Sequence, residues 1–345
     1  RICFRWKPLP AKGSRKAKAR LVCAGFRDPH LALLLRDAPV LSRAGFYVIL
    51  QFACSYRLAL KSGDCKSAFL QGLPDTERPT AIFLRPPTDA ISLAAVPEWR
   101  SGKIYRLHAP VYGQANAPRQ WYMTVKSRLL RLGWVLSKLD PCLFRLVRDK
   151  KTVGLLGFHV DDMILVLMPG YDRDEKALAD AFEWGSEWEV DDFVFCGRRV
   201  CRCPDTSVVT VSQAHYISEM DTLSTKGVVE DAALTAEQIS DWRSAIGGLQ
   251  WVASTSRPDV AADTSLLQKP HSELTGADYA EMAGVIRYLK ATPTAGVTIR
   301  PIDPEHLTLL SFSDAAWANA PGAKSQAGML TVAVDGREMN RGTCE

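Results

Sequence analysis

Two apolar runs, 153–156 and 163–168, flank the hexapeptide Gly157-Phe158-His159-Val160-Asp161-Asp162 near the middle of the chain. Short apolar runs on both sides of a polar pair predict two buried strands, over 153–160 and 163–168, joined by a tight turn. The same patterning predicts strands over 1–6 and 19–24, joined by a basic loop at 8–18. Ser42 is placed to cap a helix running through 50 toward 56, which feeds a strand ending at Asp64. Short strands follow at 81–84 and 103–107, with a loop at 88–101 between them. Asn116 as N-cap and Pro118 near the first helical position open a helix to about 132. A strand at 143–147, an acidic amphipathic helix at 172–184 and a strand at 207–211 complete this part.

Beyond about 212 the pattern turns helical, with segments at 213–223, 236–254, 258–267 and 276–290. After about 296 it returns to strands, at 307–312 and 329–334. The whole reads as an α+β body, a helical middle and a partial α/β tail.

Asp161 and Asp162 cannot sit unpaired in an apolar core, because burying an uncompensated charge is very costly. They must protrude from the turn, where their mutual repulsion invites a divalent cation. A solvated hairpin turn is the plainer reading of such a pair, since Asp favours turns. A third carboxylate, Asp64 in Lys61-Ser62-Gly63-Asp64-Cys65-Lys66-Ser67-Ala68-Phe69-Leu70, follows another strand. Three carboxylates around two metal ions suit nucleotidyl transfer.

Composition changes this picture little. The chain has 345 residues, 47% apolar and 23% charged, ordinary for a globular protein with two or three packed units. Net charge is only +5, yet ten Lys/Arg up to Arg36 face a single acid, Asp28. Such a block suits phosphate contacts, or else is a solvated basic tail. The nine cysteines lack paired spacing and read as reduced thiols of an intracellular protein. No secretory h-region is evident, and the longest apolar stretch carries Asp161 and Asp162 at its centre, against a membrane span. A first residue Arg1 in place of Met suggests a piece of a longer product.

Further motifs carry a resemblance. Lys18-Ala19-Arg20-Leu21-Val22 with Gly25-Phe26 resembles "KARLVAKGF", and Asp64 to Gly72 resembles "DVKTAFLNG". Val111 to Tyr122 resembles "LYGLKQAPRQWY", and His159-Val160-Asp161-Asp162 stands where the pattern has "YVDD". Phe195-Cys196-Gly197 is similar to "FLG", Ser256 to Val260 to "TRPDI", and Arg287 to Lys290 to "RYLK". Ser313 to Ala318 resembles "SDADWAG". These blocks, in this order, resemble the reverse transcriptase region of Ty/copia-type LTR retrotransposon Pol polyproteins over nearly the whole chain.

The resemblance implies a right-hand polymerase with an antiparallel palm sheet. Fingers and palm would occupy 1–212, a helical thumb or connection 213–295, and a truncated RNase H-like segment 296–345. Asp64, Asp161 and Asp162 would hold two Mg²⁺ ions, with Mn²⁺ as a substitute. Lys18 and Arg20 would contact the incoming triphosphate, and Phe69 would press on the sugar 2′ position. Tyr112 and Gly113 would flank the nucleotide, the glycine permitting close backbone approach. His159, Phe195, Cys196 and Gly197 would meet the primer strand, and Arg198 and Arg199 its phosphates. The implied partners are an RNA template, a DNA primer or RNA–DNA hybrid and dNTPs, with no membrane. The implied location is the cytoplasm, in a virus-like particle for an intact element.

Departures from the pattern include His159 for Tyr, Cys65 for Val and Cys196 for Leu. Asp314 matches the first metal-binding carboxylate of an RNase H domain, but Asp335, Glu338 and Glu345 sit in no matching motif. No competent RNase H site is expected. The rival expectations are a catalytically decayed remnant that only binds nucleic acid and an unrelated two-metal nuclease or phosphatase, against which the motif order around Asp64, Gly113 and Asp161 counts.

Overall fold

Alternating Ala and basic residues set the first hairpin. β1 (Ile2–Pro8) and β2 (Arg15–Leu21) pair antiparallel, with Cys3 opposite Arg20 and Arg5 opposite Lys18. The second strand begins at Arg15 rather than 19, because the period-2 pattern extends back through Lys18 and Ala17. Arg5, Lys18 and Arg20 therefore share one face, and Phe4 and Trp6 the other. The structure is a computed structural model and describes residues 2–8, 15–75, 80–96, 98–99, 102–320 and 324–338. Arg1, residues 9–14 of the basic loop and Glu345 lie outside the described residues.

The chain divides into two compact units, Arg1–Gly45 with Gly63–Trp188, and Phe46–Ser62 with Glu189–Glu345. α1 (Arg43–Ser55) starts where expected, the Gly45 N–H donating to Ser42 Oγ at 3.0 Å. β3 (Leu60–Asp64) follows it. β4 (Phe83–Leu84), α2 (Ala90–Ala95) and β5 (Tyr105–Arg106) come next, β4 pairing with β5. α2 replaces the loop expected over 88–101; its N-cap Asp89 accepts the Ser92 N–H at 2.8 Å.

α3 (Ala117–Arg131) buries Ala117, Trp121, Val125 and Leu129, one stripe at i, i+4 spacing. Pro118 lies in its first turn and Asn116 holds the N-cap position, its carbonyl accepting the Gln120 N–H at 3.0 Å; its side chain makes no cap bond, and its amide donates to Asp75 Oδ2 at 2.5 Å instead. After it come β6 (Trp134–Leu136), β7 (Leu143–Arg148), β8 (Lys151–His159), β9 (Asp162–Leu167) and α4 (Asp172–Asp180). In the sheet β3, β9, β8, β7 and β6 lie in that order, with the last four joined antiparallel. β8 is buried continuously from Val153 to Phe158, which explains its unbroken apolar run. The Phe158 ring stacks on Tyr122 of α3, centroids 6.0 Å apart, and meets Phe144 of β7 at 6.1 Å. Each such buried side chain contributes roughly 1.5–3 kcal/mol.

In the second unit β10 (Glu189–Val190) pairs with Lys61 and Ser62 of β3. β11 (Asp192–Phe195), β12 (Arg198–Arg202) and β13 (Val209–Ser212) form an antiparallel meander. The helical middle holds α5 (Ala214–Glu219), α6 (Ala236–Thr255), α7 (Ala261–Leu266) and α8 (Gly276–Ala291). Capping boxes at Thr235/Gln238 and Thr275/Asp278 start α6 and α8. Trp242, Leu249, Val252, Met282, Ile286 and Leu289 form their shared core.

The tail departs from the expected α/β arrangement. β14 (Val297–Ile299) joins β13 as the fourth strand of the meander, and β15 (Leu307–Ala320) pairs with β16 (Lys324–Asp335) as a separate ribbon. Among the described residues after 296 there is no helix. Among the described residues no helix is long and apolar enough to cross a membrane.

Candidate active site

β3 ends on Asp64, and the turn from β8 to β9 carries Asp161 and Asp162. His159 pairs with Asp162 across that turn, leaving Val160 and Asp161 at its tip. Val160 adopts φ +59°, a left-handed conformation unusual for a β-branched residue. Two bonds hold this strained tip. The Trp121 indole N–H donates to the Val160 carbonyl at 2.6 Å, and the Cys65 N–H donates to the Asp161 carbonyl at 2.8 Å. The second bond ties the residue after Asp64 to the other two carboxylates. As a result one oxygen from each of Asp64, Asp161 and Asp162 lies within 4.8 Å of the others.

Asp64 is exposed and the other two are half-buried, so the site opens to solvent. Three carboxylates form an all-oxygen donor set, the chemistry that Mg²⁺ and Mn²⁺ take. The buried Cys65 thiol does not join it. Burial pushes its pKa up, and the charges of Asp64 and Asp161 push it further, so the thiol keeps its proton.

Several other expected site residues gather on the same unit. The Phe69 ring lies 4.9 Å from Tyr112, and the Arg20 guanidinium lies 5.4 Å from the Tyr112 ring centre. Burial raises the Tyr112 hydroxyl pKa; the charge of Asp161 adds to this and Arg20 opposes it. Tyr112 thus feels both the carboxylates and the basic hairpin. Lys18 is exposed on the Arg20 face of that hairpin. Gly113 has φ +88°, and a Cβ there would sit 2.2 Å from the Cys23 carbonyl. The close approach it permits is therefore made by the chain's own segment 22–25, whose Cys23 N–H donates to the Tyr112 carbonyl at 2.7 Å.

Phe195, Cys196 and Gly197 belong to the second unit. Cys196 (φ +48°) and Gly197 (φ +76°) form the β11–β12 turn, so the expected hairpin is present. The Phe195 ring, however, is fully buried and stacked on Phe46 at 5.6 Å. Arg198, expected at phosphates, is 7% exposed and lies 4.2 Å from the Phe46 ring centre. Arg199 pairs with Asp192 through two hydrogen bonds of 2.7 and 2.8 Å. Asp314 is exposed on β15 opposite Gly328, and no metal-binding cluster among the described residues includes it.

Sequence reasoning missed the role of Arg257. It is 1% exposed, grips Asp259 with two nitrogens and donates to the Thr292 carbonyl at 2.8 Å. The motif Ser256 to Val260 is thus a structural clasp between the end of α6 and the end of α8.

Comparison with known proteins agrees with this geometry. Residues 4–236 match the family described as reverse transcriptase (RNA-dependent DNA polymerase). The chain is 28% identical over 339 residues to the retrovirus-related Pol polyprotein from transposon RE2 of Arabidopsis thaliana, covering 91% of this chain and 22% of that protein. The corresponding polyprotein from transposon RE1 of the same plant is 27% identical over 340 residues, covering 91% and 22%. That from transposon TNT 1-94 of Nicotiana tabacum is 25% identical over 341 residues, covering 91% and 24%. The chain therefore spans less than a quarter of the length of these relatives, which are Ty1/copia-type Pol polyproteins. With its family match running through both carboxylate strands, the chain belongs to the reverse transcriptase (RNA-dependent DNA polymerase) family.

Proposed function

We propose that the chain is an RNA-directed DNA polymerase that transfers a nucleotide from a dNTP to a primer 3′-hydroxyl. The observation that carries this reading is the convergence of Asp64, Asp161 and Asp162 oxygens within 4.8 Å. Those three side chains would hold two Mg²⁺ ions, with Mn²⁺ as a substitute. When bound, the ions would supply Lewis acidity that lowers the pKa of the attacking hydroxyl and neutralises the departing pyrophosphate.

The remaining work falls to this chain's own residues. Arg20 and Lys18, on one face of the basic hairpin, would bind the triphosphate by charge-assisted hydrogen bonds. Phe69, braced by Tyr112, would exclude a ribose 2′-hydroxyl by contact. His159, beside the turn, and the Phe195-Cys196-Gly197 hairpin would position the primer; the burial of Phe195 favours backbone contacts there over ring contacts. The template–primer duplex would be read by backbone and shape, since a copying enzyme cannot prefer a sequence. In these terms fingers and palm occupy 1–212, a thumb or connection 213–295, and an RNase H-like segment carrying Asp314 occupies 296–345. Particle localisation in the cytoplasm follows from the same reading.

The experiment is Mg²⁺- or Mn²⁺-dependent extension of oligo(dT) on poly(rA), with the Asp161→Asn/Asp162→Asn double variant beside it. Extension that the double variant abolishes is the expected result. A folded chain that binds the duplex and extends nothing would overturn the reading in favour of a decayed remnant.

A further inference from the structure

Asp64 lies against a wall made by the chain that follows α4. The Gly185 N–H donates to the Asp64 carbonyl at 2.8 Å, and the Lys66 N–H donates to the Glu183 carbonyl at 2.9 Å. Between them Trp184 forms an antiparallel bridge with Cys65. A Cβ built on Gly185 would sit 2.9 Å from Asp64 Oδ2, closer than carbon and oxygen normally pack. Its distances to the Asp64 carbonyl oxygen and Cγ, 3.4 and 3.8 Å, are ordinary contacts. Gly185 also lacks a left-handed φ, so its backbone does not require glycine. The space that a side chain would fill is occupied by the carboxylate.

The wall is held from behind and has little freedom to retreat. The Gln71 amide accepts the Glu183 N–H at 2.9 Å and donates to the Glu183 carbonyl at 2.8 Å. Arg128 donates to the carbonyls of Gln71 and Ala181 at 2.8 and 3.0 Å. The Trp184 indole N–H donates to the Ala179 carbonyl at 2.8 Å, and its ring packs 4.5 Å from that of Trp188. Both rings close on Gly63, where a Cβ would meet them at 2.9–3.1 Å. Of the atoms around Gly185, the carboxylate end of Asp64 is the group able to give way.

We propose that Gly185 is a positioning residue: its missing side chain leaves the space that aims the Asp64 carboxylate at Asp161 and Asp162. The proposal rests on the metal-binding reading above. An outer residue of this kind is typically worth 10–100-fold in metal affinity. Gly185→Ala should therefore leave the fold intact and turn Asp64 away from its partners.

The test is Mn²⁺ binding to the full chain, followed by the loss of the free-ion electron paramagnetic resonance signal, with thermal unfolding and primer extension alongside. Gly185→Ala should bind Mn²⁺ about 10-fold more weakly, extend primers correspondingly less and unfold at the wild-type temperature. In an Asp64→Ala background the same alanine should cost no further affinity, since the carboxylate it displaces is gone. Wild-type affinity in Gly185→Ala, or an equal loss in both backgrounds, overturns the proposal. If Gly185→Ala does not fold, a folded Asp64→Ala/Gly185→Ala chain supports the contact, and an unfolded one overturns it. A wild-type chain that binds no Mn²⁺ overturns the metal reading and this proposal with it. Mn²⁺ binding without extension overturns the polymerase reading alone, and the affinities still decide on Gly185.

Discussion

The indole N–H of Trp121 and the carbonyl of Val160 are joined by a 2.6 Å hydrogen bond between α3 and the tip of the carboxylate turn. Val160 holds φ +59°, a conformation that costs a non-glycine residue about 1–3 kcal/mol and persists only when its surroundings enforce it. Trp121 is 1% exposed, so the ring also fills core. One side chain thus packs α3 against the sheet and pins the backbone next to Asp161.

Trp121→Phe keeps most of the buried ring and removes the donor. The variant should lose about 0.5–1.5 kcal/mol of stability, the net worth of one hydrogen bond, since water can reach the half-buried Val160 carbonyl. It should also lower kcat for primer extension more than it raises KM for dNTP, because the turn and not the triphosphate contacts is loosened. Urea unfolding and steady-state extension on one preparation check this. A stability loss with unchanged kcat would reduce Trp121 to a packing residue.

Phe69 and Tyr112 brace each other at 4.9 Å. Truncation by Phe69→Val opens space on the side proposed to face the sugar. Incorporation of rNTP relative to dNTP should rise about 10-fold or more, the scale on which an apolar contact discriminates. Single-nucleotide extension with each substrate measures the ratio, and an unchanged ratio would show Phe69 to be core alone.

Asp259 holds the buried Arg257, and hydrogen bonding to that guanidinium holds the Asp259 carboxyl below the usual carboxylate range. A depressed folded pKa contributes stability that is present above the unfolded value, about 3.9, and is lost as pH falls through the folded one. Breaking a buried pair costs about 3–5 kcal/mol; with the Asp259 side chain 40% exposed, screening reduces this to about 1–2 kcal/mol. Asp259→Asn should be less stable than wild type by that amount at pH 7, the gap closing below about pH 4. Denaturant unfolding across pH 3–7 checks it, and a gap independent of pH would place the effect in the hydrogen bonds.

Much of the first unit was legible. The apolar runs flanking Asp161 and Asp162 are local patterns, and β8 and β9 formed where they predict. Ser42, Pro118 and the i, i+4 stripe of α3 likewise act within a turn or two of their own position. The meander was harder. Arg198, Arg199 and Arg202 interrupt the apolar pattern of β12, and only distant partners let two of them be buried: Phe46 beneath Arg198, and Asp191 paired with Arg202 at 2.8 Å. Asn116 stands at the N-cap position as its type predicts, but its amide turns to Asp75, a partner no local rule names.

The sequence by itself determined which segments alternate, which carboxylates stand at strand ends, and that the hairpin carrying Arg20 is basic on one face. These follow from side-chain direction in strands and from the cost of burying charge. The tertiary structure alone decided that Asp64 meets Asp161 and Asp162, through β3 lying beside β9 and the Cys65 bond to the turn. It alone decided that Gly185 faces Asp64 and that Trp121 reaches Val160. Those relationships depend on sheet order and on contacts between segments far apart in sequence, and a one-dimensional pattern carries neither.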